Sequence, residues 1–301
     1  MSAVVVSYRT GPALFECLAA LLAQPEIGRV VVVDNGNDRP TRTRLAELAA
    51  ANARLHLVRP PGNIGFARAC NLGVAHADGD HIALVNPDLI VPNGCFSHIL
   101  SALATHPQAW LASGRLLNLD GSEQRGGRRE VLTPWRAVAE LLRLESLFPG
   151  HPHFRRFNLH LSPPIHEIET VPTVSGAFMV LPRHRWVELG GMDERFFLHL
   201  EDTDICLRIL KANGQILYCG NVPTHHYRST SDVPKILVEW HKTISSRYYF
   251  HKHFSATYPG WARGGITMLL WGRFLAVSFR ALPADLTWLG RCAWRSLAAR
   301  N

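Results

Sequence analysis

The chain lacks the glycine signatures of the commonest phosphate-binding folds. No G-x-G-x-x-G follows its first strand-like run, and no G-x-x-x-x-G-K-[ST] loop is present. An ordinary dinucleotide dehydrogenase and a P-loop NTPase are excluded on that ground. Cysteine is sparse. The six residues Cys17, Cys70, Cys95, Cys206, Cys219 and Cys292 share no short paired spacing. That excludes a zinc ribbon and a disulfide framework, and fits small buried hydrophobes in a reducing compartment. No basic leader or cleavage site precedes Val4-Val5-Val6, so a cytoplasmic chain is expected. No internal repeat or low-complexity tract occurs. The most apolar stretch, residues 266–282, is broken by Arg273 and Arg280, which argues against a membrane span.

Positive charge is present, but unevenly. Eleven Lys and Arg stand against three Asp and Glu between Tyr227 and Asn301, which accounts for the whole formal excess of +8. A basic tail points to an anionic partner: a membrane surface, a nucleic acid or a phosphorylated substrate. No nucleic-acid-binding motif accompanies it. Arg273 and Arg280 lie seven residues apart, on one helical face, among Trp271, Phe274, Leu275 and Phe279. Trp288, Leu289 and Trp294 between Arg291, Arg295 and Arg300 repeat the pattern. A helix lying in a membrane interface is expected, at the inner face of the cell membrane. Snorkelling arginines on a packed helix are the plainer alternative.

Strand and helix alternate at short intervals through the first third of the chain. Apolar runs at residues 3–8, 29–33, 55–58 and 82–85 read as strands buried on both faces. Helical spacing separates them, at Leu14, Leu18, Leu21 and Leu22, then at residues 41–53 and 66–77. A mostly parallel sheet with helices on both faces follows. Residues 93–110 read as a further helix, and 120–164 as loops. Order returns in a strand-like run at 171–181, interrupted by Ser175-Gly176-Ala177. A helix at 201–212 and a short strand at 216–218 come next. Residues 1–231 form the expected α/β domain and 232–301 a basic helical extension.

Three strand ends then carry polar groups to one edge of one sheet: Ser7-Tyr8-Arg9, Asp34-Asn35 and Asn86-Pro87-Asp88. In open α/β sheets ligands bind at that edge. Pro87 stops the strand, and Asp88 beyond it suits a hard divalent cation carrying phosphate oxygens. A turn of Asn, Pro and Asp needs no ligand to explain it, however. Arg68 falls in the first turns of a helix opened by small residues, where guanidinium and helix end could both meet a diphosphate. Glu201-Asp202-Thr203-Asp204 places acidic residues at a helix start, which the helix dipole favours in any case. Arg208, four residues after Asp204, is expected to pair with it. Asp202 is thereby left as a candidate general base. His225 and His226 follow a strand, and either could ligate a metal.

Five ordered blocks over residues 3–231 carry a resemblance. They are VVVSYR, VVVDNGN, NIGFARACNLG, ALVNPD, and SGAFMVLPR with GGMDERFFLHLEDTDICLR. In this order they resemble family 2 glycosyltransferases of the GT-A fold, on the rhamnosyl- and galactofuranosyltransferase branch. The resemblance implies inverting transfer of a sugar from a nucleotide-diphosphate donor, assisted by Mg or Mn. Carried over by position, Asp34 resembles the residue that holds the nucleobase, Ser7 and Arg9 lie beside the nucleotide, and Arg68 lies near base and phosphates. Asn86-Pro87-Asp88 stands where the family carries Asp-x-Asp, so Asp88 is the expected ligand and Asn86 a weaker helper. Gly176 and Ala177 resemble the turn lining the donor and acceptor pocket beside Glu201. Asp202 matches the base, and His225 or His226 the metal-completing histidine. The branch points to dTDP-rhamnose as donor and a lipid-linked or saccharide acceptor of a cell-surface polymer. The competing expectation is a non-catalytic module that binds a nucleotide sugar or lipid diphosphate, with Asn86 as its mark.

Overall fold

The computed structural model describes residues 1–227 and 231–298, with side chains described up to residue 290. Arg228, Arg300 and the side chains of Arg291, Trp294 and Arg295, all counted in the basic tail, lie outside the described residues. The chain opens with β1 (Ser2–Ser7), α1 (Ala13–Leu22), β2 (Arg29–Asp34), α2 (Arg39–Ala51), β3 (Leu55–Val58), α3 (Phe66–Ala75) and β4 (His81–Val85). These are the predicted elements, with α2 started two residues early by Asp38, whose side chain accepts from Thr41 N. The four strands pair in parallel in the order β3-β2-β1-β4. Ala3, Val5, Val30 and Val32 enter one core with Leu14, Leu18 and Phe96, whereas Val4, Val6, Val31 and Val33 enter the other with Cys70 and Ile205. Alternation across a sheet covered on both faces explains why these strands read as unbroken Val runs.

Beyond β4 the structure departs from the sequence reading. A two-residue strand, β5 (Leu89–Ile90), follows Asp88 directly, and α4 (Cys95–Thr105) ends well before residue 110. His106 precedes Pro107 and leaves the helix at φ −124° and ψ 82°, since the residue before proline avoids the helical region. The chain then enters β6 (Ala109–Leu117), a buried strand absent from the expectation. Its Ala112-Ser113-Gly114 centre looks like loop because it must be small: a Cβ at Gly114 would lie 2.7 Å from the Val222 carbonyl oxygen.

Next come β7 (Arg128–Arg129), α5 (Pro134–Leu141), α6 (Leu144–Leu147), β8 (Ile168–Thr170), β9 (Thr173–Val174), β10 (Phe178–Pro182), α7 (Arg183–Leu189), α8 (Glu201–Lys211) and β11 (Gln215–His226). The expected short strand at 216–218 is thus the start of a much longer one. β10 runs antiparallel to β4, and β6, β11 and β5 complete the path, with β8 on β11. β7 and β9 form a separate two-stranded sheet. With four parallel strands at its heart, the fold is a mixed, mostly parallel sheet between helices.

The tail is two helices, α9 (Lys235–Phe254) and α10 (Gly260–Ala298). α9 packs on the body: Tyr249 and Phe250 are buried with Phe196, Leu132 and Leu207. Asp204, fully buried, accepts from Arg208 Nε at 2.8 Å, as expected, and also from Lys252 Nζ at 2.5 Å and His253 Nε2 at 2.7 Å. α10 in turn caps α9, because Asp285 accepts from Lys235 N and Ile236 N at 3.0 and 2.8 Å. Arg273 pairs with Glu239, and Trp271 and Phe274 pack edge-on to Trp240. Beside the face that meets α9, α10 carries an exposed apolar stripe: Leu275, Phe279, Leu282, Leu286 and Leu289 recur at helical spacing, Phe279 being 80% exposed, and Leu282, Leu286 and Leu289 line a groove with Trp240 and Leu237 of α9. By length and composition the 31-residue stretch Gly260–Gly290 could cross a membrane, its most apolar 18-residue window having a mean hydropathy of 1.3.

Candidate active site

Ser7, Asp34 and Asn86 lie at the carboxyl ends of β1, β2 and β4, on one edge of the sheet. Asp34 is buried, and its Oδ1 accepts from Asn37 N and Asn37 Nδ2, each at 3.0 Å. Its Oδ2 faces Arg42 Nε at 3.3 Å and Arg59 Nε at 3.5 Å. Two guanidinium groups therefore rim the carboxylate from α2 and from the end of β3. The Ser7 hydroxyl is turned inward, toward Asn37 Oδ1 at 3.1 Å and Thr10 Oγ1 at 3.3 Å. Arg9 is exposed at φ 51°, with its amide donating to Asn37 Oδ1 at 2.8 Å. Asn35 joins this end to the next loop, donating to Asn63 Oδ1 and accepting from Ile64 N. Gly65 sits there at φ 85°, and a Cβ would stand 2.8 Å from the Phe197 carbonyl. Arg68, in the first turn of α3, is largely exposed and faces Glu194 at 3.5 Å.

At the end of β4 the side chains close on one point. His226 Nε2 lies 3.0 Å from Asp88 Oδ1 and 3.4 Å from Asn86 Nδ2. The register explains this. β5 pairs antiparallel with the last residues of β11, placing His226 opposite Leu89 and His225 opposite Ile90. Neighbours on a strand face opposite sides, so His226 is buried at the site whereas His225 is exposed. The two histidines left open by the sequence are separated here: the structure brings His226 to Asp88 and turns His225 away.

Gln124 fixes the imidazole. Its amide nitrogen donates to the His226 carbonyl and to Asn118 Oδ1, both at 3.2 Å, which leaves its oxygen to accept from His226 Nδ1 at 2.6 Å. The amide orientation follows from that network. Nδ1 therefore carries a proton, and Nε2 faces the Asp88 carboxylate at 3.0 Å. That spacing serves an imidazole–carboxylate hydrogen bond, and with a cation bound it would serve two neighbouring ligands. Neighbouring ligands of an octahedral ion with bonds of about 2.1 Å stand about 3.0 Å apart, so this pair fits Mg or Mn. Among the described residues no cluster of three or more His, Cys, Asp and Glu side chains gathers to hold a metal. The remaining positions would fall to substrate oxygens and water.

A second carboxylate group lies across the Ser175-Gly176-Ala177 turn. Ala177 O accepts from Asn86 N at 2.8 Å, and Gly176 N donates to Asp202 Oδ2 at 2.9 Å. One short turn thus touches both sites. Asp202 opens α8, and its Oδ1 accepts from Thr203 N at 2.6 Å and Thr203 Oγ1 at 3.1 Å. Oδ2 also takes Arg129 Nη2 at 2.5 Å. Arg129 and Gln124 were invisible in the sequence, where residues 120–129 read as surface loop. Only the pairing of β7 with β9 carries Arg129 inward.

The neighbouring carboxyls of α8 have opposite character. Burial, and then the Asp202 charge, push Glu201 from 4.5 up to about 8. Glu201 Oε2 is buried without a hydrogen-bond partner among the described residues. Burial is the largest influence on Asp202 and pushes it up, but the Arg129 charge and hydrogen bond together with the Gly176 and Thr203 amides outweigh it and hold this carboxyl below its usual value. His199, before α8 at φ 69°, is driven down to about 4 by burial and then by the Lys242 charge, so it is a neutral imidazole. Near neutral pH the pair therefore carries one negative charge, on Asp202.

The Asp88–His226 pair and the Asp202 carboxylate stand at the strand-end edge of a mixed, mostly parallel sheet, an arrangement that fits the GT-A class of nucleotide-sugar enzyme. The glycosyl transferase family 2 model matches residues 2–160, and the chain belongs to that family. It is 28% identical over 295 residues to N-acetylglucosaminyl-diphospho-decaprenol L-rhamnosyltransferase of Mycobacterium tuberculosis, covering 89% of this chain and 88% of that one. Rhamnosyltransferase WbbL of Escherichia coli K12 is 22% identical over 259 residues, covering 83% of this chain and 92% of that one. Among solved structures, a mannosyltransferase of Pyrobaculum calidifontis in complex with GDP-Man and Mn2+ superposes with a TM-score of 0.56. Its identity is 16%, over 98% of this chain and 80% of that one. The fold is accordingly GT-A, and the chain is a glycosyltransferase.

Glu201 generates a pH prediction. Below about 4.5 the folded and unfolded chains both hold its proton; between there and about 8 only the folded chain does. Its contribution to stability is full at the acid end and is lost as pH rises through about 8. Glu201→Gln, which cannot ionise, should gain stability relative to the parent as pH rises over that window. Urea denaturation at several pH values reads this, and a pH-independent difference would contradict it.

Proposed function

We propose that the chain is an inverting transferase that moves a sugar, rhamnose in the first instance, from a nucleoside-diphosphate donor to a lipid-linked saccharide of a cell-surface polymer. The observation that carries the reading is the turn at residues 175–177, which touches the Asn86-Pro87-Asp88 strand end on one side and Asp202 on the other. Departure and attack are thereby served by groups held in one frame. The rhamnosyltransferase relatives supply the sugar, and the decaprenol diphosphate in the name of one supplies the acceptor class.

In this reading Asp34 accepts from the nucleobase between Arg42 and Arg59. Ser7, Arg9 and Asn86 border the nucleotide, and Arg68 is close enough to the opening of α3 to meet its phosphates. A divalent cation, Mg or Mn, held by Asp88 and His226 would neutralise charge on the leaving diphosphate. Gly176, Ala177 and Glu201 line the space between donor and acceptor. Asp202, ionised at neutral pH, takes the proton of the acceptor hydroxyl as its oxygen bonds to the anomeric carbon. The bond from that carbon to the diphosphate breaks on the opposite face, and its electron pair leaves with the nucleoside diphosphate.

The tail supplies membrane contact in this reading. One face of α10 is covered by α9 and cannot also meet lipid, so the exposed Leu275, Phe279, Leu286 and Leu289 face suits a helix lying in the interface rather than crossing it. The enzyme would then work peripherally at the cytoplasmic face of the membrane.

Three measurements test this. Asp202→Asn should lower transfer by at least about a thousandfold, at the upper end of a general base's contribution, with nucleotide binding retained; an active variant would sink the assignment. His226→Gln should weaken the Mn dependence of donor hydrolysis by about tenfold or more, whereas His225→Gln should leave it alone. Equal effects would remove His226 from the metal site. Phe279→Glu with Leu286→Glu should abolish sedimentation with anionic vesicles, and undiminished binding would place the membrane contact elsewhere.

A further inference from the structure

The reading of Asp202 as base leaves unexplained why a carboxyl so enclosed is ionised at all. The residue beside it shows what enclosure does: Glu201, on the same turn of α8, is driven up to about 8. The Gly176 and Thr203 amides donate to Asp202, but the titratable groups near it are mostly of no help. Glu201 and Asp204 share its helix, Cys206 lies one turn on, His199 precedes it, and Tyr249 approaches from α9. The positive charge in contact is Arg129. Its side chain is 10% exposed against 13% for Asp202, so the pair is close to dry and the interaction is little screened.

The guanidinium is also held in place. Nη2 donates to the Val174 carbonyl at 2.8 Å as well as to Asp202 at 2.5 Å, and Nη1 donates to Thr203 Oγ1 at 3.2 Å. Thr203 Oγ1 passes its own hydrogen to Asp202 Oδ1. Arg129 therefore touches both carboxylate oxygens, one directly and one through Thr203. The adjacent Arg128 has a different task, bound to Glu123 and to the Ser162 and Pro163 carbonyls.

We infer that Arg129 is a positioning residue for transfer: it keeps Asp202 ionised and aims its carboxylate from β7, without itself meeting donor or acceptor. An arginine is required, because Nη2 reaches Asp202 while Nη1 of the same planar group holds the Thr203 hydroxyl that donates to the other carboxylate oxygen. The inference depends on Asp202 being the base, and its test separates the two.

The experiment is the pH profile of kcat/KM for the full-length parent, Arg129→Lys and Arg129→Gln, with dTDP binding measured alongside. The parent should be flat from neutral pH down to about 5, because its base stays ionised there. Arg129→Gln should lose about tenfold per unit below an acid limb displaced upward by at least about one unit, and regain rate toward alkaline pH. Arg129→Lys should shift the limb less and keep more of the rate. dTDP affinity should stay within about twofold, since no hydrogen bond or ion pair among the described residues joins Arg129 to Ser7, Arg9, Asp34, Arg68 or Asn86. An unmoved limb, with rate lost at every pH, overturns the inference and leaves the base assignment standing if Asp202→Asn is inactive. If Arg129→Gln does not fold, the limb of Arg129→Lys decides by the same criterion. An active Asp202→Asn removes the base reading and this inference with it.

Discussion

The 175–177 turn is the constraint on which both buried carboxylates, Asp88 and Asp202, depend for their placement. Its backbone amide at Gly176 donates to Asp202 while the next carbonyl receives Asn86. A side chain at 176 would bring its Cβ 3.0 Å from the Asp202 Cβ, so closeness here rests on glycine. Each carboxylate then has its own partner, Arg129 for Asp202 and His226 for Asp88. Separate partners are what would let the tasks proposed for them, charge neutralisation and proton acceptance, share one crevice.

The fold was legible where burial is two-sided. The Val runs of β1 and β2, and Ile82-Ala83-Leu84-Val85 of β4, announce parallel strands because both their faces are covered. β6 was not legible because its centre is whittled to Ala, Ser and Gly by the close approach of β11, and such residues look like loop. β5 is too short for any periodicity. Helix α8 and the Asp204–Arg208 pair were readable from spacing alone, since helical neighbours at four residues face one another.

Within the site, Asp88 and Asp202 stood out because acidic residues at element ends are visible in one dimension. The choice between His225 and His226 was not, because it depends on which face of β11 meets β5 after an irregularity between Cys219 and Pro223. Arg129 and Gln124 are likewise products of long-range pairing, with β9 and with His226. The opposite ionisation of Glu201 and Asp202 could not be read from two adjacent acids: it comes from what surrounds them.

The ion cluster around Asp204 bears on where the chain can be divided. Lys252 and His253 of α9 reach the same buried carboxylate as Arg208 of the catalytic body, and Tyr249 and Phe250 close the apolar floor beneath. A boundary drawn at residue 231 follows the composition of the sequence but cuts through one shared interior. Ending the chain there would leave Asp204 with one counter-ion of three and open Phe196 to water. The extension is thus not a detachable module, and exchanging it for another tail would require rebuilding the back of α8, the helix that carries Asp202.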